Sequence, residues 1–282
     1  PDAIRSHRLR REIVATSIVN NMVNLAGISF DHRMTEDSGA SVSDVARGFI
    51  ASRDIFGFAD VWREIDDLGS SISLDTQISL FLDARRMTER GTFWLLRHRR
   101  PPLDIGEAVD TFSAGLAFLG DSLDDVVSGR VLDDVCRLRE ARIAAGVPST
   151  LATRSARWPW LHTGFDIVEI AHTEACNVAD AAGAYWAVFN AFDLGWLWDG
   201  VAALPRSDRW QEQARSALHD DLLTVLAELT RNVMRAGDGS PSTWIAANER
   251  AVARALGMHT EIRRAESFDL TPCRWRCANC AT

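Results

Sequence analysis

The fold class of this chain is indicated by the stretch WQEQARSALHDDLLTVLAELTRNV, residues 210–233. Apolar residues return through it at three- and four-residue steps, the period of a helix with one buried face. They are Trp210, Ala214, Ala217, Leu218, Leu222, Val225, Leu229 and Val233. Similar patterns fill most of the 282 residues, and alternating strand patterns are nearly absent. The sequence therefore predicts an all-α fold, a multi-helix bundle without a nucleotide-binding sheet.

Capping residues, glycines and prolines mark the ends of the predicted helices. Ser41 with Asp44 forms an N-terminal capping pattern, and Gly57 ends the helix that follows. Asp104 can cap a further helix after Pro101 and Pro102. Phe30 leads into a segment that reads as a polar loop. Further helices are predicted over residues 9–25, 58–68, 74–97, 131–145, 160–175, 178–192 and 243–265.

A turn-forming stretch near residues 147–149 divides the chain in two. We expect two helical lobes, residues 1–147 and 148–270. An irregular tail of residues 271–282 follows them, and its composition differs abruptly from that of the helical part.

The charged residues exclude several classes of function. All 31 cationic residues are arginine, so the chain has no lysine for a Schiff base, a pyridoxal phosphate or a Walker A phosphate loop. The net charge of −8 disfavours nucleic acid and an anionic membrane as partners. The basic runs at residues 5–11 and 97–100 are interpreted as solvated helix ends or interfaces.

The apolar and cysteine content points to a cytoplasmic protein. No apolar stretch approaches the roughly 18 residues that a membrane span requires, and no signal peptide is recognisable. Five cysteines, three of them crowded at the end, do not form the pattern of a disulfide framework.

Two patterns resemble parts of metal sites. Glu169 and His172 have the Glu-x-x-His spacing of di-iron bundles, but no second copy of that motif accompanies them. Cys273, Cys277 and Cys280 form a three-thiolate pattern whose fourth ligand is missing, with His259 as a distant candidate. We assign no metal site, and a metal-binding helical protein remains the least favoured reading.

Ten tryptophans are many for a chain of this length. The pairs Trp158 and Trp160, and Trp196 and Trp198, would suit either a groove or a core. We favour packing in the core or at an interface. The alternative is a free-standing helical module that binds a partner protein through a tryptophan-lined groove.

Many segments, in order, carry a resemblance to a known family. They are Arg8-Leu-Arg-Arg-Glu-Ile-Val-Ala-Thr16, Met22-Val-Asn24, Gly27-Ile-Ser-Phe30, Gly39-Ala-Ser-Val-Ser-Asp-Val-Ala-Arg47, Arg53-Asp-Ile-Phe-Gly57, Thr92-Phe-Trp-Leu-Leu-Arg97, Arg99-Arg-Pro-Pro102, Asp166-Ile-Val-Glu-Ile170 and Ala203-Leu-Pro-Arg-Ser-Asp-Arg-Trp210. Through them the chain resembles, to about Leu270, the C-terminal region of the large bacterial NAD-specific glutamate dehydrogenases.

The resemblance implies a helical, non-catalytic segment of a longer enzyme. That parent enzyme would oxidatively deaminate L-glutamate to 2-oxoglutarate and ammonia with NAD. Glutamate dehydrogenases use lysines for substrate binding and proton transfer, and this chain has none. We therefore assign no catalytic or cofactor-binding residue here. The implied partners are the catalytic domain of the same polypeptide and further copies in a homo-oligomer, with a scaffolding or regulatory role.

The tail departs from the family pattern at Thr271. Family members tend to end in an amphipathic helix of the type Leu-Ser-Val-Ala-Leu-Arg-x-Leu-Arg. One allowed codon set for residues 273–281, shifted by one base, reads Leu-Ser-Val-Ala-Leu-Arg-Lys-Leu-Arg. Our hypothesis is that the tail is frameshifted, which would make its cysteine cluster accidental.

Overall fold

A computed structural model describes residues 27, 29–205, 207–236 and 240–264. In this part of the chain thirteen α-helices and one short 3₁₀ turn (Gly69–Ser71) are present, and no strand. The helices are α1 (Phe30–Ser38), α2 (Val42–Ile55), α3 (Phe58–Asp67), α4 (Leu74–His98), α5 (Ile105–Val126), α6 (Arg130–Ala144), α7 (Ser149–Leu161), α8 (Gly164–Thr173), α9 (Val178–Ala191), α10 (Leu194–Ala203), α11 (Arg209–Arg235), α12 (Pro241–Ala247) and α13 (Glu249–Arg264). The predicted all-α fold is confirmed. The helix predicted over residues 9–25 and the tail lie outside the described residues.

Local signals place several helix ends where the sequence predicts them. The Ser41 hydroxyl accepts a hydrogen bond from the backbone N–H of Asp44 at 3.2 Å, which caps α2. Asp104 caps α5 in the same way, through the N–H of Glu107 at 3.0 Å. Gly57 adopts a φ of 58°, a left-handed conformation that ends one helix and allows the next to begin.

Helix α1 occupies the segment that was predicted as a polar loop. Phe30 and Met34, one turn apart, are buried against Val45 and Phe49 of α2. The rings of Phe30 and Phe49 meet edge to face with their centroids 5.4 Å apart. The loop prediction was wrong because these two buried residues stabilise a helix whose other positions are polar.

Two predicted long helices are each divided in the structure. The span 160–175 is broken after Leu161, where the hydroxyl of Thr163 donates to the carbonyl oxygen of Trp160 at 2.7 Å. This side-chain bond competes with the helical backbone pattern. The span 243–265 is broken at Asn248, whose side-chain amide donates to the carbonyl oxygen of Trp244 at 2.8 Å. Both predictions of one continuous helix were wrong.

The buried stripe of α11 differs from the predicted one. Leu222, Leu226, Thr230 and Val233 are buried, whereas Val225 is 49% exposed. Steps of four, four and three residues keep these four side chains on one line of the helix. The hydroxyl of Thr230 bonds the Leu226 carbonyl at 2.8 Å, which allows a polar residue to lie in the buried stripe.

The chain forms two compact units. Unit 1 contains the described residues up to Leu123 together with Asp134–Phe165, and unit 2 contains Asp124–Asp133 and the described residues from Asp166 onward. These units differ in extent from the lobes 1–147 and 148–270, which stay a prediction. No described helix is both long and apolar enough to cross a membrane.

Each unit has its own aromatic core. In unit 1 the Phe165 ring lies 5.2 Å from Trp94, 5.0 Å from Phe112 and 5.6 Å from Phe56, measured between centroids. In unit 2 the aromatic rings belong to α9 and α10, and neighbouring centroids are 5.4–6.4 Å apart. The rings concerned are Tyr185, Trp186, Phe189 and Trp198. Many of the aromatic side chains therefore pack in the two cores.

Candidate functional site

The residues singled out as metal ligands do not form a cluster in the described part of the chain. On α8, Glu169 is half-buried and His172 is exposed. Among the described residues no group of three His, Cys, Asp or Glu side chains could hold a metal ion. Cys273, Cys277 and Cys280 lie outside the described residues, so the prediction concerning them stays open.

His259, the distant fourth-ligand candidate, belongs to a different arrangement within unit 2. Its ring lies 5.7 Å from the Trp196 ring, and the Arg263 guanidinium is 4.5 Å from the same Trp196 ring. Arg263 also forms an ion pair with Asp193. Burial lowers the pKa of His259; Asp193 opposes this shift and Arg263 adds to it. The arrangement fastens α13 to the start of α10 and favours neutral imidazole.

The tryptophan pairs do not line an open groove. Trp158, Trp160 and Trp198 are at most 9% exposed and belong to the cores of their units. Trp196 is half-buried beneath Arg263. Packing therefore accounts for all four side chains, in agreement with the reading favoured from sequence.

The basic run at the end of α4 lies over aromatic rings. The Arg99 guanidinium is 4.9 Å from the Phe112 centroid and 5.5 Å from that of Trp94. The His98 ring stacks on Trp94 at 4.4 Å, and its Nδ1 is 2.9 Å from the Trp94 carbonyl oxygen. A cluster of cations at a helix C-terminus is favourable for the helix dipole, so the run has a structural explanation.

One ion pair in unit 1 is deeply buried. Arg142 of α6 is 6% exposed, and its Nη2 lies 2.5 Å from a carboxylate oxygen of Asp83 on α4. Its guanidinium is 5.8 Å from the Trp158 ring centroid. Burial lowers the pKa of Arg142, while the neighbouring Asp83 carboxylate opposes that shift. The pair connects α6 to α4. Because the Arg142 guanidinium is removed from water, its charge depends on the Asp83 carboxylate for compensation.

Unit 2 also buries a polar pair. Tyr185, the chain's one tyrosine, is fully buried, and Asp166 is 4% exposed. Burial raises the pKa of the Tyr185 hydroxyl well above its usual range, and the negative charge of Asp166 raises it further. Both groups belong to the buried part of unit 2.

One surface feature of unit 1 that packing within the unit does not explain is an apolar ridge on α4. We define the ridge as Leu74, Ile78 and Leu82, which are 70%, 45% and 39% exposed. The steps of four residues place the three side chains in one row along the helix. Single exposed apolar residues are ordinary, but an aligned row of three suits an interaction surface.

Gly27, the first residue that the structure describes, lies against Arg85 of α4. A Cβ atom built on Gly27 would lie 3.1 Å from the Arg85 guanidinium, so the backbone at Gly27 runs directly against Arg85 of α4. Arg85 is held by Glu89, with Nε–Oε1 at 2.8 Å. The same Glu89 oxygen is 3.2 Å from Arg33 of α1. One carboxylate therefore binds an arginine of α1 and an arginine of α4.

Sequence reasoning missed both the ridge and the Arg142–Asp83 pair. The ridge has a readable signal, since Leu74, Ile78 and Leu82 recur every four residues within a predicted helix. Assigning that row to the surface requires knowing which face of α4 is buried. The ion pair joins residues 59 positions apart and has no local signal.

Comparison with known proteins places the whole helical part of the chain in one family. The family model described as "Glutamate dehydrogenase, C-terminal" matches residues 1–274. The chain is 34% identical over 274 residues to an NAD-specific glutamate dehydrogenase of Pseudomonas aeruginosa. It is 33% identical over 273 residues to the protein of that name in Mycobacterium tuberculosis, and 30% over 262 residues to that in Halomonas elongata.

The shares covered by these matches are very unequal. The three matches cover 93–95% of this chain but only 16–17% of each relative. The chain thus corresponds to about a sixth of the length of the curated relatives that it matches, and the resemblance stated from the sequence is confirmed. It belongs to the family of glutamate dehydrogenase C-terminal regions.

Proposed function

We propose that this chain is the non-catalytic C-terminal domain of an NAD-dependent glutamate dehydrogenase and serves to scaffold that enzyme. The parent reaction would be the oxidative deamination of L-glutamate to 2-oxoglutarate and ammonia, with NAD as the cofactor of the parent enzyme. The observation that carries the proposal is the match of 95% of this chain to only 17% of a relative with that name.

The composition of the chain supports a division of labour within the parent enzyme. All 31 cationic residues are arginines, whose guanidinium groups stay protonated and cannot serve as proton-transfer groups. The lysines that the family resemblance implies for glutamate binding and proton transfer must be supplied by another part of the polypeptide. This chain would contribute no catalytic residue and no cofactor site.

The surface supports a role in holding parts of the enzyme together. The ridge of Leu74, Ile78 and Leu82 is apolar and aligned, and burial of such a row against another surface is favourable. We infer that this domain has two kinds of partner. One is the catalytic domain of the same polypeptide, and the other is a further copy of that polypeptide in a homo-oligomer. Loss of the domain would then weaken assembly while leaving the chemistry of the catalytic site in place.

The proposal is tested by expressing the complete open reading frame and a version that lacks residues 1–274. We expect the complete protein to form NADH from glutamate and NAD, and the separate 282-residue chain to form none. We expect the shortened version to lose its native mass in light scattering, or its solubility.

Three results would overturn the proposal. The first is robust NADH formation by the separate chain, after removal of contaminating dehydrogenases by a second purification step. The second is a shortened enzyme whose mass, thermal stability and activity equal those of the complete protein. An open reading frame that encodes this chain alone would also exclude it.

A further inference from the structure

Helix α13 buries few side chains against the rest of unit 2. Along its described length, Glu249–Arg264, Val252 is the one buried residue, with an exposed fraction of 8%. Most of the other side chains of this helix are exposed. A helix with so little buried apolar surface opens locally at a lower free-energy cost than the whole unit does. The polar contacts of α13 therefore have a large share in holding it in place.

One cluster of polar and aromatic side chains joins α13 to the start of α10. We call it the α13 latch, and its members are Asp193, Trp196, His259 and Arg263. Asp193 occupies the N-cap position of α10, yet its side chain makes no capping bond and binds Arg263 instead. His259 and Arg263 are four residues apart, so they share one face of α13, and both lie against the Trp196 ring.

The surroundings of His259 suit a neutral ring better than a protonated one. A protonated imidazole has an N–H donor on both nitrogens, and Nδ1 of His259 is buried without a hydrogen-bond partner among the described residues. The Asp193 carboxylate attracts a positive charge on the ring, but it already forms an ion pair with Arg263. Burial lowers the pKa of His259, and the Arg263 charge lowers it further, against the opposing effect of Asp193.

The charged and titratable groups on the neighbouring helices are accounted for. Helix α12, against which α13 packs, has no charged side chain over Pro241–Ala247. Asp199 of α10 forms an ion pair with Arg130. His219 of α11 packs edge to face on a tryptophan ring of α10, with the two centroids 4.4 Å apart. The charges that act on the His259 ring are therefore those of the aspartate and the arginine of the α13 latch.

We propose that the α13 latch is a pH-sensitive device: α13 stays docked on the rest of unit 2 while His259 is neutral and is released when His259 is protonated. Protonation places two positive charges on one face of α13, with a single carboxylate to compensate them. Release uncovers the Trp196 ring, which is half-buried beneath Arg263. The inference goes beyond the proposed scaffolding role and does not depend on it, because all four members of the latch belong to unit 2.

The size of the effect follows from the linkage between protonation and docking. Once α13 is released, the pKa of His259 returns to the ordinary histidine value of about 6.5, whereas in the docked helix it is lower. Docking is therefore strongest above about pH 6.5 and weakens as the pH falls. At a pH about one unit below that value, protonation weakens docking by up to about tenfold.

Hydrogen exchange followed by mass spectrometry, in the protein made from the complete open reading frame, tests the proposal. Rates at about pH 7.5 and about pH 5.5 are compared after correction for the intrinsic pH dependence of amide exchange. Peptides of α13 should exchange faster at the lower pH, by up to about tenfold, and peptides of the buried helix α9 should not. His259→Gln should remove the pH effect. The matched control His172→Gln, at an exposed histidine of unit 2, should keep it.

Several outcomes would overturn the proposal. Corrected rates of α13 that are equal at the two pH values would do so, as would a pH effect that persists in His259→Gln. An equal acceleration in α9 would mean that unit 2 opens as a whole. In a second measurement, His259→Lys carries a permanent positive charge and should exchange faster in α13 than His259→Gln already at about pH 7.5. Equal exchange in these two variants would contradict release by charge, and the scaffolding role would be untouched.

Discussion

Gly91 of α4 is a position where a single methyl group should disturb unit 1. An ideal Cβ there would lie 2.5 Å from the Ser52 hydroxyl oxygen, 2.8 Å from a ring carbon of Phe56 and 2.9 Å from one of Phe165. Contacts this short force neighbouring groups to move. Ser52 cannot move freely, because it is fully buried and donates a hydrogen bond of 2.8 Å to the Thr88 carbonyl.

The size of the effect follows from two opposing terms. Inserting a methyl group into a packed core costs about 1–3 kcal/mol. Replacing glycine by alanine inside a helix stabilises it by about 1 kcal/mol. Gly120→Ala on α5, in the same unit, is the matched control that measures the helix stabilisation alone. A Cβ at Gly120 would meet only a Leu161 side-chain carbon at 3.8 Å, so it causes no overpacking. Gly91→Ala should therefore be about 1–3 kcal/mol less stable than Gly120→Ala.

Urea unfolding followed by far-ultraviolet circular dichroism measures this difference in the free energy of unfolding. The thermal midpoints should separate by about 2–4 °C for each kcal/mol. Adding Ser52→Ala to Gly91→Ala should recover part of the loss, since Thr92 still donates a 2.8 Å hydrogen bond to the Thr88 carbonyl. A Gly91→Ala protein as stable as Gly120→Ala would refute the reasoning.

Three further predictions concern charged and titrating groups. Asp83→Ala leaves the Arg142 guanidinium buried without its carboxylate, so urea unfolding should show a loss of about 3–5 kcal/mol. The Tyr185 hydroxyl should resist ionisation through the usual tyrosine range in a spectrophotometric titration, because its pKa in the folded chain is raised. The stability that Tyr185 contributes should therefore be lost as the pH rises above about 10. The pKa of His259 is lowered in the folded chain, so its contribution is complete above about pH 6.5 and is lost as the pH falls, which Trp196 fluorescence should report.

Each of these predictions has a control or an opposing result. Asp60→Ala breaks an exposed pair with Arg63 and should leave the unfolding midpoint unchanged. An ordinary tyrosine titration with unchanged circular dichroism would contradict burial of Tyr185. His259→Gln should remove the acid-dependent fluorescence change, and its persistence would assign that change to another group.

The hypothesis on the tail has a direct test in the gene. Codons for residues 273–281 that regroup, shifted by one base, into Leu-Ser-Val-Ala-Leu-Arg-Lys-Leu-Arg would support a frameshift. Codons that do not regroup this way would reject it. Stoichiometric zinc in elemental analysis, lost in Cys277→Ser, would instead make the cysteines a metal site.

Much of the fold could be predicted because its signals are local. The Ser41 cap of α2, the Asp104 cap of α5 and the left-handed Gly57 each depend on residues a few positions apart. The period of the apolar residues identifies helices for the same reason. Where burial of two residues outweighs a polar local sequence, as with Phe30 and Met34 in α1, local reasoning fails.

The sequence by itself determined the helical class, the family and the exclusion of lysine chemistry, since these follow from composition, short-range periodicity and ordered segments. Only the tertiary structure decided which apolar row of α4 is buried and which forms the exposed ridge. It alone paired Arg142 with Asp83 and brought Gly27 against Arg85. The physical reason is that burial is a property of contacts between helices distant in sequence, whereas caps and apolar periodicity are carried by neighbours along the chain.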